Sequence, residues 1–189
     1  MAAAATAIIA FAQPGEAPLA SQMLCAPPLQ ERISFSADRN AALQLPDETR
    51  HRVRSLLNVE RPMKYGEFVW NDRGVPPGDM LVRVDLRAQT MAVFRGGHEI
   101  GTAVILYGAE EKPTPSGVYP ILEKKEQHRS NLYDAEMPYM LRLTYDGIAI
   151  HAADVRAGRA THGCIGIPDA FARALFAVVT PGDRVAVIA

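Results

Sequence analysis

Ile148-Ala149-Ile150-His151, a short loop containing Asp154, Arg156, Gly158 and Arg159, and then Thr161-His162-Gly163-Cys164-Ile165-Gly166 form the stretch around which the chain is arranged. Leu141 and Leu143, then Ile148 and Ile150, alternate with a period of two, as in a strand that ends by delivering a residue to a site. That residue is His151. The stretch holds two of the five histidines and one of the two cysteines. With a reference pKa of about 8.5, a thiol is mostly protonated at neutral pH, so a nucleophilic cysteine needs an imidazole to take its proton or to stabilise the thiolate. Glycine before the cysteine allows close backbone approach, and the N–H groups of Gly163 and Cys164 are candidates to face a developing oxyanion. The residues outline a cysteine acyl-transfer site. Two other readings stay open at this level: a cysteine buried as a small apolar residue, and three metal ligands with an open fourth position, which the His-Gly-Cys spacing suits poorly.

Thr161-His162-Gly163-Cys164-Ile165 resembles the [Ser/Thr]-His-Gly-Cys signature of the L,D-transpeptidases, the YkuD-type enzymes that cross-link peptidoglycan. Thr114-Pro115-Ser116-Gly117-Val118-Tyr119 is similar to the family's Thr-Pro-x-Gly-x-aromatic segment. Leu81-Val82-Arg83-Val84-Asp85-Leu86 with Thr90-Met91-Ala92-Val93-Phe94 resembles its opening hairpin. The likeness runs from about Gly78 to the C-terminus. The chain departs from the pattern at Gly166, where arginine or asparagine is usual, at Ala152, and in the short interval of 11 residues from His151 to His162.

The resemblance implies a mainly β fold, sandwich-like, with a short helix after Cys164. It implies a cysteine-dependent acyltransferase that uses no cofactor and no metal. Cys164 would attack a tetrapeptide stem, release D-alanine through a thioester, and pass the acyl group to an amine of another stem. His151 would be the base, oriented by a backbone carbonyl such as that of Ala152. His162 would order the loop or assist the leaving group, with Gly163 and Thr161 on the substrate side. The partner implied is the peptidoglycan stem peptide, and the place is the periplasm or cell wall, in wall biosynthesis and cell shape. Alternatives are an L,D-carboxypeptidase with water as acceptor, a non-catalytic wall-binding module of the same fold, and a zinc hydrolase.

A length of 189 residues suits one catalytic domain with an extension. A net charge of −1 offers no field for nucleic acid. Cys25 and Cys164 make no disulfide framework and are read as reduced. Met1 to Ala12, ending Ala10-Phe11-Ala12, resembles the apolar core and cleavage site of an export signal without its positive start, and is too short for a stable membrane span. A disordered alanine-rich leader is the other reading. The residues before Cys25 are too large for a lipidation site. Pro18, Pro27 and Pro28 mark a linker, so residues 1–30 read as leader and linker.

Residues 31–77 read as a helical extension. Pro46-Asp47-Glu48 suits a helix start, Val53, Leu56 and Leu57 form one face, and Arg50, Arg52 and Arg54 the other. Those arginines either approach an anionic wall polymer or form a solvated face. Arg73 to Gly78 marks a boundary, and residues 78–189 read as the catalytic domain. Strands are expected at Leu81–Leu86, Thr90–Phe94, Glu99–Leu106, Val118–Leu122, Pro138–Thr144, Ile148–Ala152 and Arg184–Ile188. His98 is expected in an exposed turn. Glu123 to Met137 is expected to be a long loop, either a mobile excursion or a binding element with His128 and Arg129 facing a carboxylate. Asp169 is expected to cap a helix bearing Phe171, Leu175 and Phe176.

Overall fold

The computed structural model describes residues 32–36, 41–130 and 134–189; the leader, linker and Cys25 readings lie outside them. In chain order the strands are β1 (Ile33–Ser34), β2 (Ala42–Gln44), β3 (Arg50–Arg52), β4 (Ser55–Leu56), β5 (Phe68–Trp70), β6 (Met80–Asp85), β7 (Thr90–Arg95) and β8 (His98–Val104). There follow β9 (Gly117–Pro120), β10 (Glu123–Lys125), β11 (Met140–Arg142), β12 (Ala149–Ala152), β13 (Ile165–Ile167), the helix α1 (Asp169–Val178) and β14 (Arg184–Ile188).

Among the described residues the strands form three sheets. The largest runs β1-β4-β8-β7-β6-β14-β9, with β5 also paired to β8; a second runs β10-β11-β12-β13, and β2 pairs with β3. Alternation explains why the large sheet is covered on both faces. Val82, Val84, Met91, Val93, Val185 and Val187 point inward to the main core, where they meet Leu141, Ile150, Ile165 and Ile167 of the second sheet. Leu81, Phe94 and Ala186 point the other way and are buried with Leu45 and Val53. A one-residue slip would exchange the two faces, so the register is strongly held.

The helical extension is therefore corrected: residues 42–56 form strands β2 to β4. Asp47 Oδ1 accepts hydrogen bonds from the Thr49 N–H (3.1 Å) and hydroxyl (2.6 Å), closing a turn in which Glu48 has φ of 65°. That turn folds β2 back on β3 instead of starting a helix. Past the turn, Arg50, Arg52 and Arg54 are exposed while Val53, Ser55 and Leu57 are buried, a period of two. The hairpin lays Leu45 and Val53 over the outer face of the large sheet; burying each side chain stabilises by about 1.5–3 kcal/mol. Strands β1, β4 and β5 join that sheet as well, so no change of period occurs at Gly78.

His98 is not in an exposed turn. It opens β8, and its Nδ1 lies 2.9 Å from Ser55 Oγ, to which Arg32 Nε also donates at 3.0 Å. Beside it Glu99 is buried and accepts from the Leu57 N–H at 2.9 Å; burial pushes its carboxyl above the usual range.

The connection from β13 through α1 to β14 joins the second sheet to the first. Pro168 occupies the N-cap position and Asp169 is the first helical residue, with no side-chain capping bond, which corrects the expected cap. The helix buries Phe171 edge-on against Phe68 and Trp70 at 5.7 and 5.4 Å. Gly101 makes room: a Cβ there would lie 2.4 Å from the Trp70 ring. The last turn has no basic residue of its own. Lys124 of β10 supplies one, its Nζ donating to the Phe176 and Val179 carbonyls at 2.5 and 2.7 Å.

Candidate active site

Strand pairing brings the two halves of the opening stretch together. β12 and β13 are parallel, with Ile150 opposite Ile165, His151 opposite Gly166 and Ala152 opposite Ile167. Cys164 precedes β13 by one residue, so it and His151 project from the same face of neighbouring strands. They are offset by one strand spacing of about 4.8 Å and two residues, about 6.6 Å. Both line one cavity of about 310 Å³, together with Thr161, His162, Lys112 and Asp146.

The loop before Cys164 is held from two sides. Thr161 Oγ1 donates to the Cys164 carbonyl at 2.5 Å. The buried Thr114 hydroxyl donates to the Gly163 carbonyl at 2.9 Å and accepts from the Gly108 N–H at 2.9 Å. The Thr-Pro segment thus acts as a strut beneath the cysteine loop. Gly163 has φ of +102°, where L side chains are strained, and a Cβ there would lie 2.7 Å from Ile148 Cδ1. Only glycine fits this turn without displacement.

His151 Nδ1 lies 2.8 Å from the Ala152 carbonyl. A carbonyl only accepts, so Nδ1 carries the hydrogen and Nε2 keeps its lone pair. Burial holds the imidazole below its ordinary value, opposed by that carbonyl, and His128 adds to the lowering. The thiol is pushed the other way. Burial raises the Cys164 pKa, a bond from the Ala149 N–H and the charge of Lys112 oppose the rise, and Asp146 adds to it. The sulfur also lies 3.7 Å from the Gly147 carbonyl. Both shifts favour the neutral forms, and a neutral thiol beside a neutral imidazole can transfer a proton as attack proceeds.

His162 is exposed at the cavity rim. Among the described residues no group of three or more His, Cys, Asp or Glu side chains converges as a metal site. Among the described residues of 123–137, β10 pairs with β11, and Arg129 forms a β-bridge with Glu136. Ser130, Ala135 and Met137 wall the thiol cavity. Arg129 does not face the cavity's contents, because its guanidinium is bound by Asp134 at 2.7 Å and Glu136 at 2.5 Å. His128 lines the adjoining depression with Arg142 and Tyr145.

Sequence reasoning did not select Lys112, Asp146 or Arg159 as site residues. Their signals were position only: Lys112 lies two residues before the Thr-Pro segment, Asp146 in the turn before β12, and Arg159 in the loop between the histidines. Arg159 lines the cavity and pairs with Asp154 at 3.6 Å.

The profile of the YkuD L,D-transpeptidase catalytic domain matches residues 79–187. Among solved structures, L,D-transpeptidase 1 of Mycobacterium tuberculosis is 24% identical with a TM-score of 0.53, the match covering 59% of this chain and 62% of that one. An L,D-transpeptidase from Stackebrandtia nassauensis is 24% identical with a TM-score of 0.56, covering 60% and 57%. A cysteine-to-serine variant of the Enterococcus faecium L,D-transpeptidase is 27% identical with a TM-score of 0.54, covering 59% and 50%. The match thus spans about half to three fifths of these proteins' length. No curated protein matches the chain.

Proposed function

Because the chain belongs to the L,D-transpeptidase family through its YkuD catalytic domain, we propose that it is a peptidoglycan L,D-transpeptidase whose nucleophile is Cys164, and that residues 78–189 are its catalytic domain. The observation that carries the reading is the shared cavity of Cys164 and His151, with His151 Nδ1 tied to the Ala152 carbonyl.

In the proposed reaction the sulfur attacks the carbonyl carbon of the stem residue bonded to the terminal D-alanine. As the S–C bond forms, the thiol proton passes to His151 Nε2 and the carbonyl oxygen takes up the negative charge. The backbone N–H groups of Gly163 and Cys164 are assigned to that oxyanion. The C–N bond then breaks, the leaving nitrogen takes the proton from the imidazolium, and D-alanine departs. The product is a thioester on Cys164. An amine of a second stem attacks it, giving its proton to His151, and the S–C bond breaks to restore the thiol. His162 is assigned to ordering the loop or assisting the leaving group, and Thr161 to the substrate side. Work on the wall implies export, to the periplasm or the wall itself. No helix among the described residues is long and apolar enough to cross a membrane.

The raised thiol pKa supports this order of events, because it disfavours free thiolate and favours a base acting during attack.

The test is intact-mass spectrometry after incubation with a carbapenem, an acylating β-lactam, beside Cys164→Ala. A stoichiometric adduct on the parent protein, absent from the variant, is the expected result. No adduct on folded, reduced protein overturns the reading and favours a wall-binding module without catalysis. Incubation with a tetrapeptide stem, with and without a second stem, then separates cross-linked dimer from the tripeptide that water would release.

A further inference from the structure

A second depression, of about 480 Å³, opens at the opposite end of the large sheet. Strand β8 relates the two. It begins at His98, beside Gly97 on the wall of this depression, and ends at Val104, two residues before Leu106 on the wall of the thiol cavity. His98 and Leu106 lie eight residues apart, at most about 26 Å at about 3.3 Å each and less where β8 bulges between Glu99 and Gly101.

The charge on its wall is lopsided. Arg50, Arg52, Arg54 and Arg184 line it with His51, against Asp79 and Asp183. The whole chain carries a net charge of −1, so this concentration does not reflect a generally basic surface. Arg184 is already paired with Asp47 at 2.6 Å, and Asp183 Oδ2 accepts from the Thr180 N–H and hydroxyl at 2.6 and 3.1 Å, so the excess positive charge rests on Arg50, Arg52 and Arg54 against Asp79 and Asp183. On the floor, the His51 ring packs edge-on against Phe94 at 5.7 Å, and its Nε2 is buried with no hydrogen-bond partner. Gly96, Gly97 and Gly182 keep part of the wall free of side chains.

Spacing points to the kind of ligand. Arg50, Arg52 and Arg54 alternate along one extended segment, so their side chains leave the same face about 6.6 Å apart over about 13 Å. A row of forked donors suits a strand with repeated anionic groups better than a single small ion. Guanidinium forks match carboxylates in two-point contact.

We propose that this cleft is a second, non-catalytic site that binds carboxylates along a wall-polymer strand, holding the polymer at the other end of strand β8 from the thiol cavity. The choice of polymer rests on the transpeptidase reading; the anion site itself rests on the cleft. It anchors the enzyme on its insoluble substrate and leaves the thiol cavity to individual stems.

The test is co-sedimentation of the full chain, as Cys164→Ala to prevent turnover, with isolated sacculi. The triple variant Arg50→Gln, Arg52→Gln, Arg54→Gln is expected to bind about tenfold more weakly with a shallower salt dependence. In a Cys164 background it should keep the parent rate of carbapenem acylation. Arg50→Gln alone, at an exposed position, is expected to show part of the loss and guards against a folding defect in the triple variant. Sacculi with amidated carboxylates should fail to bind, and sacculi stripped of phosphodiester-linked polymers with hydrofluoric acid should still bind. Unchanged affinity of the triple variant overturns the site and leaves a solvated arginine face. Binding lost on acid stripping overturns the carboxylate assignment. If the parent protein forms no carbapenem adduct, the catalytic reading fails, while the sedimentation arms still decide the cleft.

Discussion

His151 stands directly opposite Gly166 on parallel strands, and the space that a side chain at 166 would enter is already filled by Ala153. A Cβ on Gly166 would lie 2.9 Å from Ala153 Cβ and 3.4 Å from Leu106 Cβ. The family's usual arginine or asparagine at this position is thus excluded by the packing of this chain. Gly166 and Ala153 form a matched pair.

Gly166→Arg is therefore expected to destabilise the protein by about 1–3 kcal/mol through overpacking. It should also slow acylation, because Cys164 immediately precedes β13. Adding Ala153→Gly should recover a large part of the loss, since the two sites share one contact. Thermal unfolding of both single variants and the double variant measures the coupling; additive losses would refute the pairing.

The protonation states of the site set a pH profile. His151 must be neutral to accept the thiol proton, and its burial lowers its pKa. Acylation is expected to rise with pH through a limb centred below the ordinary imidazole value of about 6.5 and to be flat at neutral pH. Because burial raises the thiol pKa, no thiolate-dependent limb should appear until alkaline pH. The same depression enters folding. The folded state binds the His151 proton less well than the unfolded chain, so that contribution to stability is present above the unfolded value and lost as pH falls through the folded one. Carbapenem acylation rates from pH 5 to 10 provide the check. A single rise above pH 8 would instead indicate that preformed thiolate is the reacting species.

Thr114 has no contact with the thiol, yet it holds the carbonyl of the preceding residue, Gly163. Thr114→Val keeps the shape and removes the hydroxyl, stranding the Gly163 carbonyl and the Gly108 N–H. The expected cost is about 2–6 kcal/mol of stability, with each of the two unsatisfied groups contributing about 1–3 kcal/mol. A tenfold or greater loss in acylation rate should accompany it, and Thr114→Ser should restore both. A Thr114→Val protein that acylates at the parent rate would show that the cysteine loop keeps its form without the strut.

Much of this was legible in the sequence for physical reasons. Strands β6, β7 and β14 announce themselves because one face of each is apolar at every second residue, and the Cys164 loop carries a rare combination of residue types. Other features depend on partners distant in sequence. The β2–β4 segment reads as a helix because Val53, Leu56 and Leu57 stand at i, i+3 and i+4, while Val53 and Leu57 fit a strand period equally well over so short a span. Its strand character is fixed by the Asp47–Thr49 turn and by the apolar face at Leu81 and Phe94 that it covers. Lys124 cannot be recognised as the C-terminal cap of α1 until β10 is placed beside the helix, 52 residues away from Phe176. Asp146 and Lys112 meet at Cys164 only because a β-turn and an irregular loop converge on the same cavity.

Those two charges allow the electrostatics of the thiol to be tested apart from its base. Asp146 disfavours the thiolate and Lys112 favours it. Removing the carboxylate in Asp146→Asn leaves the anionic sulfur less opposed, so the thiol pKa falls. Removing the ammonium in Lys112→Met leaves the sulfur less supported, so it rises. Alkylation by iodoacetamide reports thiolate directly, and its pH midpoint should move down in the first variant and up in the second. Acylation at neutral pH should respond less than alkylation does, because in the proposed reaction His151 takes the proton during attack and free thiolate is not required. Equal shifts in both reactions would transfer the activation of Cys164 from the imidazole to the charges around it.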